Sequence, residues 1–290
     1  MDVWGDPRDL NERCPSKNVD PFLFSLDIRN AMDRFHPPMS WNSPTDSGES
    51  TSDGSEPSSD WGQAFERFFL PVHFTPSYAY PLVVWFHCNG FNENQIDCVM
   101  PHISVRNYIG VGIRGPRAAD TRGHRFDWHT SPASIVAAHE ATCQAVDEAC
   151  RRFSIAPSRV ILAGYREGGT MAQRIALREP ERFAGVVSLG GRIPQGGIRN
   201  MEQLRRRRLP MLWMWGEQNP QYRQETLRAD CQMILSIGGE LEIRQYPGDD
   251  EMTTVALRDI DQWIMRRIVA GTSIRDAEPW ASEPIAYSRN

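Results

Sequence analysis

The residues with the clearest chemical arrangement lie in one stretch. Residues 159–172 read RVILAGYREGGTMA, an apolar run, a turn flanked by Gly164, Gly168 and Gly169, and then a helix-compatible segment. A buried strand that enters such a turn and leaves as a helix lifts the central side chain above the end of a sheet. This is how a nucleophile is presented to an acyl carbon. The central residue here is Arg166, a permanent cation and no nucleophile. All seven histidines (His36, His73, His87, His102, His124, His129 and His139) precede this turn in the chain.

Other chemistry-bearing residues carry less. Cys88 stands beside His87, but neighbours in an extended strand point to opposite faces and cannot share a proton. His124, Asp127 and His129 have ligand types without a third histidine or a cysteine cluster to complete a metal shell, and a loop-bracing role for Asp127 is expected. His139 shares a helical face with Ile135, Cys143, Val146 and Cys150 and is expected to be a satisfied core histidine. Ser188 ends a strand and reads as a loop hydrogen-bonder. Gly110, Gly112 and Gly115 fit G-x-G-x-x-G, but they lie in a strand and Pro116 follows where a helix should open, so no dinucleotide site is expected. Neither a cofactor nor a metal is called for.

These residues need a frame. Apolar runs at 68–74, 82–87, 108–113, 160–164, 183–189, 211–215 and 241–246 read as strands, most of them buried on both faces. Helical stretches at 134–153, 169–178, 221–237 and 253–269 separate the later ones. Strands alternating with helices of that length imply an α/β domain, with a mainly parallel sheet and helices on both faces. The 290 residues, 40% hydrophobic and 24% charged, suffice for one large domain or two small ones. The formal charge of −5 is uneven, because residues 1–60 are acidic and the remainder slightly basic. Only Lys17 among the 32 basic residues is lysine, which excludes a catalytic lysine from the body. No apolar run approaches the roughly 20 residues of a membrane span, and no export signal is seen at the start. The six cysteines lack CxxC pairs, so free thiols and a soluble, cytoplasmic protein are expected.

With these segments in view, residues 68–269 resemble the α/β-hydrolase family of phospholipases, carboxylesterases and acyl-protein thioesterases. Five segments match in order: PLVVWFHCNG at 81–90 against a strand ending in an oxyanion loop, RFDW at 125–128, the turn at Arg166, FAGVVSLGGRIP at 183–194, and YPGDDEM at 246–252. The resemblance implies that the family's serine, aspartate and histidine positions hold Arg166, Asn219 and Asp250. None keeps its type. Loss of the nucleophile or the histidine in such a triad lowers turnover on the order of 10⁶-fold, so ordinary serine esterase chemistry is not expected. The resemblance places His87, Cys88, Asn89 and Gly90 in the oxyanion loop and Glu167 and Gly168 at the elbow. The amides of Asn89 and Glu167 would form an anion-binding pair. A guanidinium over a concave pocket needs an anion, and the expected partner is Asp250, with Asp249 and Glu251 as alternates.

The organisation that follows is an acidic, partly disordered extension at 1–64, an α/β-hydrolase-like domain at 65–272 and a tail at 273–290. Residues 43–60 hold seven serines, five acids and no base, a composition that cannot offset its own ordering entropy, and phosphorylation there would deepen the negative charge. The apolar residues between Phe22 and Phe35 form a separate patch suited to packing on the domain or docking on a protein partner. Arg205 to Arg208 form the densest positive run, too thin for nucleic acid. The functional expectation is a non-catalytic carboxylesterase relative that binds a small carboxylate, phosphate or ester ligand, or a protein partner. One alternative is an active ester hydrolase in which Glu167, Asp250 or Glu251 activates water. The other is a scaffold working through its N-terminal extension.

Overall fold

The structure is a computed structural model that describes residues 66–194, 196, 201–219 and 224–271. The acidic extension, the segment 22–35, the serine-rich stretch and the tail from 273 lie outside the described residues.

In chain order the elements are β1 (Glu66–Phe69), β2 (Tyr80–Phe86), α1 (Gln95–Ile103), β3 (Ile109–Ile113), β4 (Arg117–Ala118), β5 (Phe126–Asp127), α2 (Pro132–Arg152), β6 (Ile155–Tyr165), α3 (Glu167–Arg178), β7 (Gly185–Leu189), α4 (Met201–Arg207), β8 (Pro210–Gly216), α5 (Gln224–Ser236), β9 (Glu240–Tyr246) and α6 (Thr254–Ile264). A π-helical turn, Met265–Val269, extends α6. The main sheet runs β1-β3-β2-β6-β7-β8-β9, with β1 antiparallel to β3 and every other pairing parallel. Strands β4 and β5 form a separate antiparallel ribbon. The parallel α/β expectation holds. The first strand is shorter than its apolar run, ending at Phe69, and α1, α4 and the ribbon are elements that run-reading passed over.

The two sheet faces follow the period of two that a strand imposes. Leu82, Val84 and Phe86 on β2, with Ile109, Val111 and Ile113 on β3, join Ala138, Ala145 and Ala149 of α2 and Met171, Ala172 and Ile175 of α3 in one core. The alternate residues face α1 and α6. The Trp85 indole donates to Gln95 Oε1 at 2.9 Å, and a side chain at Gly185 would meet Trp263. Gly110 and Gly112 belong to this second face. A Cβ on Gly110 would press on Ile96 and Met100, and one on Gly112 would overlap the Glu93 carbonyl. Two glycines of the G-x-G-x-x-G pattern are therefore packing residues that let α1 lie close on β3. Helix α1 carries Ile96, Val99, Met100 and Ile103 at helical spacing, with Pro101 tolerated in its last turn.

Candidate functional site

Strand β6 hands the chain to α3 through a single residue. Arg166 adopts φ 50° and ψ −119°, a region that strains a non-glycine residue by about 1–3 kcal/mol. Its amide is anchored on the Leu189 carbonyl at 2.8 Å. Close approach explains the flanking glycines. A side chain at Gly168 would run into the Phe86 and His87 carbonyls, and one at Gly164 would strike the backbone of Gly168 and Gly169. The first turn of α3 is thereby pressed against the ends of β2 and β6. The elbow is retained in full, and it presents a guanidinium.

The expected Arg166–Asp250 ion pair is not formed, and the alternate partner Asp249 faces Arg166 in its place. Arg166 is half exposed, lies 5.2 Å over the Tyr165 ring, and has its nearest carboxylate 4.0 Å away on Asp249. Asp250 is instead turned inward and buried, at 4% exposure. Its Oδ1 accepts from the Gly216 amide at 2.6 Å, its Oδ2 accepts from the Asn219 carboxamide in a short contact, and its carbonyl accepts from the Tyr165 hydroxyl at 2.6 Å. Gly190, at φ 68°, makes the space, since a Cβ there would lie 2.7 Å from that of Asp250. Desolvation is the physical reason for the correction. A buried carboxylate takes the nearest fixed donors, while a long cation keeps its head in water. Burial raises the Asp250 pKa from its ordinary 3.8, against the lowering effect of the Gly216 and Asn219 hydrogen bonds.

The two positions that the resemblance assigns to the triad's acid and base thus bond to each other, with donor and acceptor exchanged. In a Ser-His-Asp triad the imidazole donates to the acid. Here the residue at the acid position, Asn219, donates, and the residue at the base position, Asp250, accepts. Both Asp250 oxygens are engaged, and neither accepts a hydrogen bond from Arg166.

On the other side of β6 the oxyanion loop is a dense network. His87 is fully buried, with Nδ1 2.7 Å from the Cys88 carbonyl and Nε2 accepting from the Gly115 amide at 2.9 Å. Those partners assign the proton to Nδ1. Burial pushes its pKa down to about 4, so it is a neutral structural imidazole. The Trp128 indole donates to the His87 carbonyl at 2.6 Å, the Trp128 amide to Asn89 Oδ1 at 2.8 Å, and the Gly90 amide to Asp127 Oδ1 at 2.9 Å. Asp127 braces the loop as expected. The Cys88 thiol lies buried against Gln95 Nε2 at 3.6 Å, and burial pushes its pKa up to about 11, the reverse of an activated nucleophile. The expected anion pair is modified from within. The Asn89 amide already faces Glu167 Oε2 at 3.4 Å, so the carboxylate of the elbow helix stands where an external anion would sit.

Between these two sides lies a cleft of about 220 Å³ to which Arg166, Glu167, Thr170, Arg192, Asp249 and Asp250 contribute. Arg192 and Thr170 went unremarked in the sequence; position 192 in the matching stretch 183–194 was the available signal. A second cleft, about 310 Å³ and lined by Tyr78, Tyr80, Arg106 and Met265 among others, opens at the opposite end of β2. Ser188 hydrogen-bonds the Gly191 carbonyl at 3.2 Å, a loop-holding role. His124, Asp127 and His129 do not gather, since His129 faces Arg117 and Asp127 holds Gly90. His139 is not a core residue. It lies half-buried against Glu179. In the arginine run, Arg207 donates to the Phe183 and Ala184 carbonyls, while Arg205, Arg206 and Arg208 are exposed. No helix among the described residues is long and apolar enough to cross a membrane.

Comparison with known proteins agrees with this geometry. The family model for phospholipases and carboxylesterases matches residues 86–268, well over half of the chain. A probable carboxylesterase of Oryza sativa subsp. japonica is 27% identical over 120 residues, 41% of this chain and 51% of that protein. The chain thus spans about half the length of that relative. Among solved structures, the Bacillus cereus carboxylesterase superposes with a TM-score of 0.58 at 12% identity, covering 71% of this chain and 95% of the other. YahD, solved with malic acid, superposes at 0.54 with 16% identity, covering 71% and 100%. At such identities these two show the fold alone. The elbow, the oxyanion loop and the family match together establish that the chain belongs to the phospholipase/carboxylesterase family of α/β hydrolases.

Proposed function

We propose that this chain is a non-hydrolysing member of its family, in which the former catalytic hollow binds a small carboxylate or phosphate ligand through Arg166. The observation that carries the reading is the Asn219–Asp250 contact. It consumes the two positions from which a base would act, while the elbow between them and the oxyanion loop presents a cation. An anion entering the 220 Å³ cleft would replace Asp249 at the guanidinium, a partner held at only 4.0 Å and half exposed. It would also compete with Glu167 for the Asn89 amide. The described cysteines are unpaired, which favours a reducing, cytoplasmic setting.

The test pairs turnover with binding. Wild-type protein is expected to show no hydrolysis of a short p-nitrophenyl ester above buffer, and the triple variant Arg166→Ser, Asn219→Asp, Asp250→His to gain it by at least about 100-fold, a small part of what a full triad supplies. Malate or inorganic phosphate should raise the thermal midpoint of the wild type and leave that of Arg166→Ala unchanged. Wild-type turnover that disappears in Asp250→Ala would overturn the reading in favour of a rearranged hydrolase.

A further inference from the structure

A second group of reactive side chains lies at the far end of the elbow helix. His139 and Cys143 are four residues apart on α2, which puts them on one face a turn apart. Glu179 caps the C-terminus of α3. His139 Nε2 is 2.7 Å from Glu179 Oε1 and 3.7 Å from Cys143 Sγ, and all three atoms lie within 4.8 Å of one another. We propose that His139, Cys143 and Glu179 form a binding site for a divalent transition metal ion of borderline softness, zinc above all, which ties α2 to the C-terminal end of the elbow helix.

Donor type and spacing both point this way. Imidazole, thiolate and carboxylate are the three protein donors zinc takes, at bond lengths of about 2.0–2.3 Å. A tetrahedral ion with those bonds holds its donors roughly 3.5 Å apart. The histidine–cysteine separation of 3.7 Å already matches, and the ion enters as the 2.7 Å histidine–glutamate contact opens by less than its own bond length. A plain histidine–glutamate ion pair accounts for one of these contacts. It does not account for a sulfur converging on the same nitrogen.

Arg182 hydrogen-bonds Asp147 at 3.2 Å and lies 3.9 Å from Glu179 Oε2, so its charge faces that oxygen while Oε1 is the one turned toward His139. On binding, Cys143 releases its thiol proton to solvent, His139 gives up the Nε2 proton it shares with Glu179 and keeps one on Nδ1 so that the neutral ring coordinates through Nε2, and the two negative donors balance the ion's charge. All three residues are half-buried, which leaves the fourth coordination position to water.

The experiment uses the full chain after treatment with a chelator. Titration with Co²⁺ should fill one site per chain and produce a thiolate-to-cobalt charge-transfer band in the near ultraviolet, which Zn²⁺ then chases out. Zn²⁺ should raise the thermal midpoint. Cys143→Ser, which keeps the wild-type midpoint in the absence of metal, should lose both the band and the zinc-induced shift. His139→Gln and Glu179→Gln should each weaken the band at one equivalent. Absence of the band from wild-type protein at one equivalent, or its survival in Cys143→Ser, overturns the proposal.

Discussion

The elbow is flanked in the sheet by two loops that are held in different ways. On the β2 side, the oxyanion loop hangs on His87, Trp128, Asn89 and Asp127 through five hydrogen bonds, four of them between a side chain and a backbone group on another segment. None of the inherited triad positions takes part. On the β8–β9 side the side-chain support passes through one of the positions that the resemblance assigns to the triad, the Asp250 carboxylate, to Gly216 and Asn219, beside two main-chain bonds, from the Glu217 amide to the Tyr246 carbonyl and from the Gln218 amide to the Gly248 carbonyl. The difference teaches where residue types can change together. Where the frame rests on residues outside the triad, their types still read as the family motif. Where the frame and the triad were the same residues, the replacements are a mutually consistent pair and the hydrogen bond has reversed.

The largest expected effect follows from that concentration. Asp250→Ala takes the acceptor from the Gly216 amide and from one side of the Asn219 carboxamide in a buried place, and should lower unfolding free energy by about 3 kcal/mol, measured by chemical denaturation. A loss under about 1 kcal/mol would mean that the second loop is as redundantly held as the first. On the β2 side, Trp128→Phe removes one bond of several, the 2.6 Å contact to the His87 carbonyl, and should lose only about 1 kcal/mol. A larger loss would put a keystone in the oxyanion loop too.

The smallest effect is electrostatic. Burial raises the Asp250 pKa in the folded chain above its ordinary 3.8. As pH climbs from 3.8 through the raised value, the unfolded chain therefore releases its proton first and the folded state binds more protons. This group's contribution is fully present below 3.8 and is lost across that window. Asp250→Asn should remove that pH dependence, so that the stability difference between variant and wild type changes within the window and is flat above it. A difference that changes in the opposite direction would show that the Gly216 and Asn219 bonds outweigh burial.

The contrast also explains what was legible in the sequence. The strands of the main sheet and the elbow were, because apolar runs and a glycine-flanked turn have few alternative conformations. Helix α1 was not, although Ile96, Val99, Met100 and Ile103 carry the period; Pro101 and the brevity of the segment obscure it. Residues 166, 219 and 250 could be picked out from the resemblance, and Asp249, the carboxylate nearest Arg166, was among its expected partners, but the partners of Asp250 could not be read. Whether Asp250 meets Arg166 or Asn219 depends on the room left by Gly190 at positive φ and on the desolvation of one carboxylate, and a linear pattern contains neither. His139 is a similar case. Its neighbours on α2 follow from helical spacing, but the buried face is that of Ala138, Thr142, Ala145 and Ala149, which leaves His139 at the margin of the core, where Glu179 arrives from a different helix.

The left-handed backbone of Arg166 bears on reversibility. The main chain still has the shape of a nucleophile elbow, so on the proposed reading a return to hydrolysis would need changes of side chain alone. The obstacle lies in the order of the steps. An imidazole installed alone at 250 would meet an amide at 219 rather than a carboxylate, and a carboxylate restored alone at 219 would confront the acid already at 250. Each single substitution lands on a mismatched interior, so on the proposed reading a serine triad is near in geometry and closed to one-step change.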